Sequence, residues 1–165
     1  MANKFNGLID AVFLPPRNWV LNKPLTFTCE ELTANWSIML KECGVEIKGT
    51  TIVVPSNYIT DLASVPRACW AFIAPFDVAR AAIVHDILYE KINVAFKNNK
   101  ISDREPYRLI ADTIFKLAMK CSEPEVPSWK IWSAHTAVRL FGKFAIKSSG
   151  PREPKFHAYK KDWRK

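Results

Sequence analysis

The stretch ARAAIVHDILYE, residues 79–90, decides the architecture of this chain. It is apolar and rich in helix formers, yet it carries the polar side chains His85, Asp86 and Tyr89. A helix that only filled a core would use Leu or Ala there, because burying polar groups costs free energy. His85 and Tyr89 share a helix face, whereas Asp86 projects about 100° away. These side chains therefore either perform chemistry or form a hydrogen-bonded strut between helices.

A second predicted helix supplies a carboxylate. Ser102 and Glu105 have the spacing of a capping box, which predicts a helix that continues to about residue 120. Asp112 interrupts the apolar positions of this helix and is expected to point inward. The connection to the first helix is short, which favours an antiparallel pair. That pairing would bring the Asp112 carboxylate to the His85 ring.

The remaining patterns predict an α+β fold. Residues 19–29 and 45–55 read as β-strands, and the second segment as a tight hairpin with Gly49 at a positive-φ position. Residues 30–42 suit either a short helix or a strand. A third helix over 129–146 contains Trp129 and Trp132, which we expect to pack within the helical layer. Strands first and helices afterwards predict a small antiparallel sheet followed by about three packed helices.

Length and composition predict one globular domain over residues 1–147 and a basic arm over 148–165. The chain has 165 residues, 48% of them hydrophobic and 12% aromatic. No apolar run is long enough to span a bilayer, and the first residues do not resemble a secretion signal. The cysteine spacing suits neither zinc nor a disulfide framework, so we expect buried thiols in a reducing cytosol. The cysteines are Cys29, Cys43, Cys69 and Cys121.

Positive charge is concentrated at the C-terminal end. The chain carries +8, and seven basic against two acidic residues from Lys147 onward supply +5 of it. Aromatic side chains among these charges suit an arm that orders on a partner surface, or one that packs back on its own domain. Binding to nucleic acid ranks third. The expected partner-binding residues are Phe156, Tyr159, Lys160, Lys161, Trp163 and Arg164.

An inward imidazole beside an inward carboxylate is what hydrolysis by activated water requires. Asp112 would fix the tautomer of His85, and the other ring nitrogen would take a proton from water. Asp86 could ligate a divalent cation that holds an ester oxygen. The same residues could equally form a buried cluster in which Asp112 accepts hydrogen bonds from His85 and Tyr89, with no substrate involved.

The run HDILY (85–89), with ADTIF (111–115), resembles the helix pair of secretory and parvoviral-capsid phospholipase A2 enzymes. The resemblance implies catalytic roles for His85 as the base, Asp112 as its partner and Tyr89 as a supporting hydroxyl. It also implies Asp86 as a ligand of Ca²⁺. The chain departs from that family before the first helix. SVPRACWAFIAPF (64–76) has no glycine, whereas the calcium loop of the family is glycine-rich.

A second resemblance covers more of the chain. TDLASVPR (60–67), AAIVHDILY (81–89), ADTIF and VRLFG (138–142) together resemble an uncharacterised family of short phage and prophage proteins. This resemblance implies phage origin. We therefore expect the protein in the virion or in the host cytoplasm.

The TDLASVPR segment allows two interpretations. Asp61 and Ser64 can bond nearby backbone amides, and Arg67 could pair with Asp86 as a structural anchor. That pair would explain Asp86 without a metal. In the alternative, Asp61 is a further cation ligand that faces Asp86.

Two functions follow from these patterns. The first is a phage-encoded virion component of the tail or neck, which the C-terminal arm docks onto other virion proteins. The alternative is a phospholipase-like or esterase-like hydrolase that acts on host envelope lipid or ester during infection.

Overall fold

The computed structural model describes residues 2–15, 18–61, 78–123 and 125–152. Within these ranges an N-terminal β part precedes a helical part, which confirms the α+β prediction. The strands are β1 Lys4–Phe5, β2 Ala11–Leu14, β3 Asn18–Leu21, β4 Leu25–Thr28, β5 Glu46–Lys48, β6 Thr51–Val54 and β7 Ile59–Thr60. The helices are α1 Ala34–Glu42, α2 Ala79–Lys97, α3 Glu105–Lys120 and α4 Ser128–Ser148.

The described strands form two antiparallel sheets instead of one. The larger has the order β1-β4-β6-β5 and the smaller the order β2-β3-β7. The segment 19–29 is divided between them, because its first half is in β3 and its second half in β4. Pro24 precedes β4 and has no N–H with which to continue a ladder. The chain turns there, and the Asn22 N–H donates to the Asp10 carbonyl at 2.8 Å.

The predicted hairpin is confirmed, and the undecided segment is a helix. β5 pairs with β6 across a turn in which Gly49 has φ +59°. Within residues 30–42, α1 begins after Thr33, whose hydroxyl oxygen accepts the Trp36 N–H at 3.1 Å. A side-chain cap of this kind satisfies one of the free N–H groups at a helix start.

Helix α2 occupies the centre of the fold. It is buried around most of its circumference and contacts α1, α3, α4 and strands β4 and β6. Leu88 and Ile92 of α2 and Phe115 of α3 are fully buried. None of the helices that the structure describes is long and apolar enough to cross a bilayer.

Two local predictions about α3 and α4 are wrong. α3 begins at Glu105, and the Glu105 N–H donates to Asp103 at 3.0 Å, so Ser102 is not its cap. Trp129 and Trp132 are 55% and 66% exposed. α4 instead buries Ile131 and other residues of its opposite side, so the tryptophans face outward.

Candidate functional site

Helices α2 and α3 bring together the imidazole and the carboxylate that the sequence analysis paired. His85 Nε2 lies 2.9 Å from Asp112 Oδ1. The side chains are 1% and 0% exposed. Because a carboxylate accepts, Nε2 carries the proton and donates. The helices run antiparallel, since Asn93 of α2 meets Arg104 at the start of α3.

Tyr89 completes the predicted trio. Its hydroxyl donates to Asp112 Oδ1 at 2.6 Å, from one turn beyond His85. Burial and the negative charge of Asp112 raise the pKa of this phenol far above its usual value, so it remains a donor. The His85 ring lies between two aromatic rings, with centroids 4.0 Å from Tyr89 and 4.7 Å from Phe115. The imidazole is therefore fixed in orientation.

Two arginines bind the other oxygen of the same carboxylate. Arg139 Nη1 donates to Asp112 Oδ2 at 2.8 Å, and Arg108 Nη1 donates to it at 3.3 Å. Glu105 accepts from both arginines at 2.7–2.8 Å. Burial alone would raise the pKa of Asp112, but hydrogen bonds from His85, Tyr89 and Arg139 outweigh it and lower that pKa. The Asp112 cluster comprises His85, Tyr89, Glu105, Arg108, Asp112 and Arg139.

Gly142 lets α4 approach this cluster. A Cβ at this position would overlap the Tyr89 hydroxyl and would lie 3.2 Å from Arg108 Nη1. The same nitrogen also donates to the carbonyls of Val138 and Arg139, each at 3.2 Å. The cluster therefore joins three helices at the point where the α4 backbone comes closest.

The Asp112 cluster is electrically balanced when the imidazole is neutral. Its two carboxylates, Asp112 and Glu105, face two guanidinium groups, Arg108 and Arg139. His85 Nδ1 is buried and has no hydrogen-bond partner among the described residues. In the neutral ring that nitrogen carries the lone pair that can accept a proton.

Asp86 lies on another side of α2 and belongs to a separate group. The Thr60 hydroxyl donates to Asp86 Oδ2 at 2.6 Å. Arg152 lies 2.9 Å from Asp61 Oδ1 and 3.9 Å from Asp86 Oδ2. Burial raises the pKa of Asp86 to about 6, although Arg152 and Thr60 both favour its ionised form. The Asp86 cluster comprises Thr60, Asp61, Asp86 and Arg152.

The described oxygens of the Asp86 cluster do not by themselves form a calcium site. Ca²⁺ takes six to eight oxygen ligands, and several carboxylates usually converge on it. Here the Arg152 guanidinium lies beside both predicted ligands, Asp61 and Asp86, and supplies the positive charge itself. In the part of the chain that the structure describes, no three acidic, histidine or cysteine side chains converge as a metal site.

Several predicted residues lie outside the described ranges. They are the anchors Ser64 and Arg67 and the arm residues Phe156, Tyr159, Lys160, Lys161, Trp163 and Arg164. The start of the arm is described. There the Ser149 carbonyl accepts from Asn93 at 2.6 Å, and Arg152 lies beside Asp61 and Asp86.

Sequence reasoning missed several contributors to the two clusters, three of which are arginines. Arg108 precedes Asp112 by one helical turn, which is the spacing of a helix ion pair, so it could have been found. Arg139 and Gly142 stand in the VRLFG segment, but their place beside Asp112 depends on how α4 docks. Arg152 reaches Asp61 from the far end of the chain. No local sequence pattern predicts that contact.

Comparison with known proteins identifies a family whose description names no function. Residues 36–138, more than half of the chain, match the model of a family described as protein of unknown function (DUF1353). The chain belongs to this family. The matched range contains the whole of α2 and α3, and it ends within α4 before Arg139. Searches of curated proteins and of solved structures found no significant match.

Proposed function

We propose that this DUF1353 protein is a phage-encoded structural protein of the virion, a tail or neck component that binds neighbouring subunits. The observation that carries the proposal is the closed state of the Asp112 cluster. His85 and Asp112 are almost fully buried, and every charge among them has a partner. An arrangement of this kind fixes three helices in one geometry, as a rigid assembly part requires.

Phage origin rests on the resemblance of TDLASVPR and HDILY to short phage proteins. The docking role rests on the composition of residues 153–165, where aromatic and basic side chains alternate. Arg152 is part of the domain surface through Asp61 and Asp86, so we place the docking segment beyond it.

Incorporation into particles tests this proposal. The chain is truncated after Arg152, which keeps the Asp86 cluster, and is expressed from the phage in place of the full protein. We expect a folded product by circular dichroism that is depleted at least tenfold from purified particles by quantitative mass spectrometry. A matched control, Phe13→Ser, alters an exposed aromatic residue of β2 and is expected to incorporate normally. Normal incorporation of the truncated chain contradicts the docking role.

A hydrolase is the second candidate, and one observation favours it. His85 presents Nε2 to Asp112 and leaves Nδ1 without a partner among the described residues, which is the orientation of a His–Asp general base. The carboxylate would hold the ring while Nδ1 accepts a proton from water. The ring is sealed in this conformation, so a hydrolase would have to open before it binds substrate.

Fatty-acid release from phosphatidylglycerol vesicles tests the second candidate. The variant His85→Gln is compared with His135→Gln, which alters a half-buried histidine of α4 outside the Asp112 cluster. If His85 is the base, His85→Gln loses at least a hundredfold in rate, as removal of a general base does. Equal rates in wild type and His85→Gln would remove the enzymatic role, and so would no release by the wild type.

A further inference from the structure

Helix α4 exposes a stripe of large apolar side chains on the side opposite its buried residues. At about 100° per residue, the four members fall within an arc of about 120°. Each is more than half exposed, at 55–66%. Exposed apolar patches rimmed by polar residues mark sites of interaction with proteins or membranes. The α4 stripe consists of Trp129, Trp132, Leu140 and Phe144.

Basic side chains accompany the stripe, and acidic ones are missing from the helix. α4 carries Lys130, Arg139, Lys143 and Lys147 but no Asp or Glu along Ser128–Ser148. Arg139 is engaged in the Asp112 cluster, whereas Lys143 and Lys147 are exposed. At about 100° per residue, these two lysines fall within the arc of the stripe. The surface therefore complements a negatively charged partner.

The side chains of the stripe suit a lipid interface. The Lys143 ammonium lies 5.1 Å from the Phe144 ring centroid, and Lys130 lies 5.9 Å from that of Trp129. Lysines whose stems follow an apolar surface can place their charge at headgroup level. The Ser133 hydroxyl near the stripe donates to the Trp129 carbonyl at 2.8 Å, so its proton is used within the helix. Tryptophan, phenylalanine and leucine beside lysine are the composition of helices that lie in a membrane surface.

We propose that the outward face of α4 binds the surface of an anionic phospholipid bilayer. The helix would lie parallel to the membrane with the stripe at the boundary of headgroups and acyl chains, while its buried side stays packed on α2 and α3. A second copy of the chain is disfavoured as the occupant. Two copies meeting through this face would bring like-charged lysines together, which weakens association. The inference is independent of the virion role and of any hydrolysis.

Co-flotation of the full-length protein with vesicles tests the inference. Vesicles of equal parts phosphatidylglycerol and phosphatidylcholine are compared with vesicles of phosphatidylcholine alone at low and at physiological salt. We expect binding to the anionic vesicles that weakens as salt rises, and at least tenfold weaker binding to the neutral ones. No binding to the anionic vesicles overturns the proposal.

Two pairs of matched variants assign the binding to α4. Trp132→Ser with Phe144→Ser removes half of the stripe, and Ile38→Ser, on α1 and 67% exposed, is its apolar control. We expect at least a tenfold loss of binding for the double variant and none for the control. Equal binding by the two overturns the assignment. All three positions are exposed, so circular dichroism should show native folding.

A pair of charge variants distinguishes the effect of the lysines on α4 from the effect of the net charge of the protein. Lys143→Glu with Lys147→Glu changes the net charge by the same amount as Lys41→Glu with Lys97→Glu, at exposed positions on α1 and α2. Only the first pair should weaken binding, by at least tenfold. Two results support another occupant and overturn the lipid assignment. One is that the wild type binds no vesicles but self-associates reversibly, and the Trp132→Ser, Phe144→Ser variant does not self-associate. The other is that the same double variant loses binding to a virion protein while the wild type binds no vesicles.

Discussion

The close approach of α4 to the Tyr89 hydroxyl makes a sharp energetic prediction. Gly142→Ala would place a methyl group on that oxygen and 3.2 Å from Arg108 Nη1. Overpacking of this kind costs about 1–3 kcal/mol, whereas the better helix propensity of Ala returns about 1 kcal/mol. We expect a net loss of up to about 2 kcal/mol in the free energy of unfolding. Far-ultraviolet circular dichroism in a urea titration measures it.

Tyr89→Phe is the matched partner for this substitution. The phenylalanine removes the overlapped oxygen, and the nearest remaining ring atom, Cζ, would lie 3.3 Å from the new methyl group. Alone, Tyr89→Phe should cost about 1–2 kcal/mol, because Asp112 loses one buried donor. In the Tyr89→Phe background, Gly142→Ala should then be neutral or stabilising.

The double-mutant cycle therefore has a predicted sign and size. The two substitutions together should be about 2 kcal/mol less destabilising than the sum of their separate effects. Equal unfolding slopes in urea for the four proteins would show that the comparison is valid. Additive effects, within about 0.5 kcal/mol, would refute the placement of the Tyr89 hydroxyl against the α4 backbone.

Three further predictions concern the Asp86 cluster and the cysteines. Burial raises the pKa of Asp86 from 3.8 to about 6, so the stability that its protonation provides is present below pH 3.8 and is lost as pH rises through about 6. Relative to Asp86→Asn, the free energy of unfolding of the wild type should therefore fall by about 3 kcal/mol between about pH 4 and pH 7, as measured by urea titration. A difference in unfolding free energy between the two proteins that does not change with pH would contradict this. Arg152→Ala should destabilise the fold more at pH 7 than at pH 4, since it removes the guanidinium beside Asp61 and Asp86; equal losses at both pH values would rule out that ion pairing. Burial raises the pKa of Cys29 to about 11 and that of Cys43 to about 12, so site-resolved mass spectrometry should show little native alkylation at pH 8 and full alkylation in denaturant; fast native labelling would contradict their burial.

Local sequence patterns predicted the elements that are marked by a turn residue, a helix-capping residue or an apolar run. Gly49 indicated the hairpin because a tight turn needs a positive φ. The apolar run around His85 and the capping region near residue 105 indicated the helix pair. The exact start of α3 was missed, because Asp103 and Ser102 are both able to cap and Glu105 is engaged by Arg108. The split of residues 19–29 between two sheets depends on strand partners distant in the chain.

The docking of α4 was beyond any periodicity argument. This helix is apolar on two sides, with Ile131 buried on one and Trp132 exposed on the other. A hydrophobic pattern cannot tell which of two apolar faces meets the core, which is why the prediction that Trp129 and Trp132 pack inside is wrong. Only the packed structure shows that Gly142 provides the smooth surface on which Tyr89 fits.

The sequence by itself determined that an imidazole, a phenol and a carboxylate share the seam of two helices, because helical spacing and a short connection leave few other arrangements. Tertiary structure alone decided that Arg139 binds the Asp112 carboxylate, and that Arg152 returns to Asp61. Such contacts join segments far apart along the chain. They depend on the balance of burial and charge across the whole fold, which no local run of residues encodes.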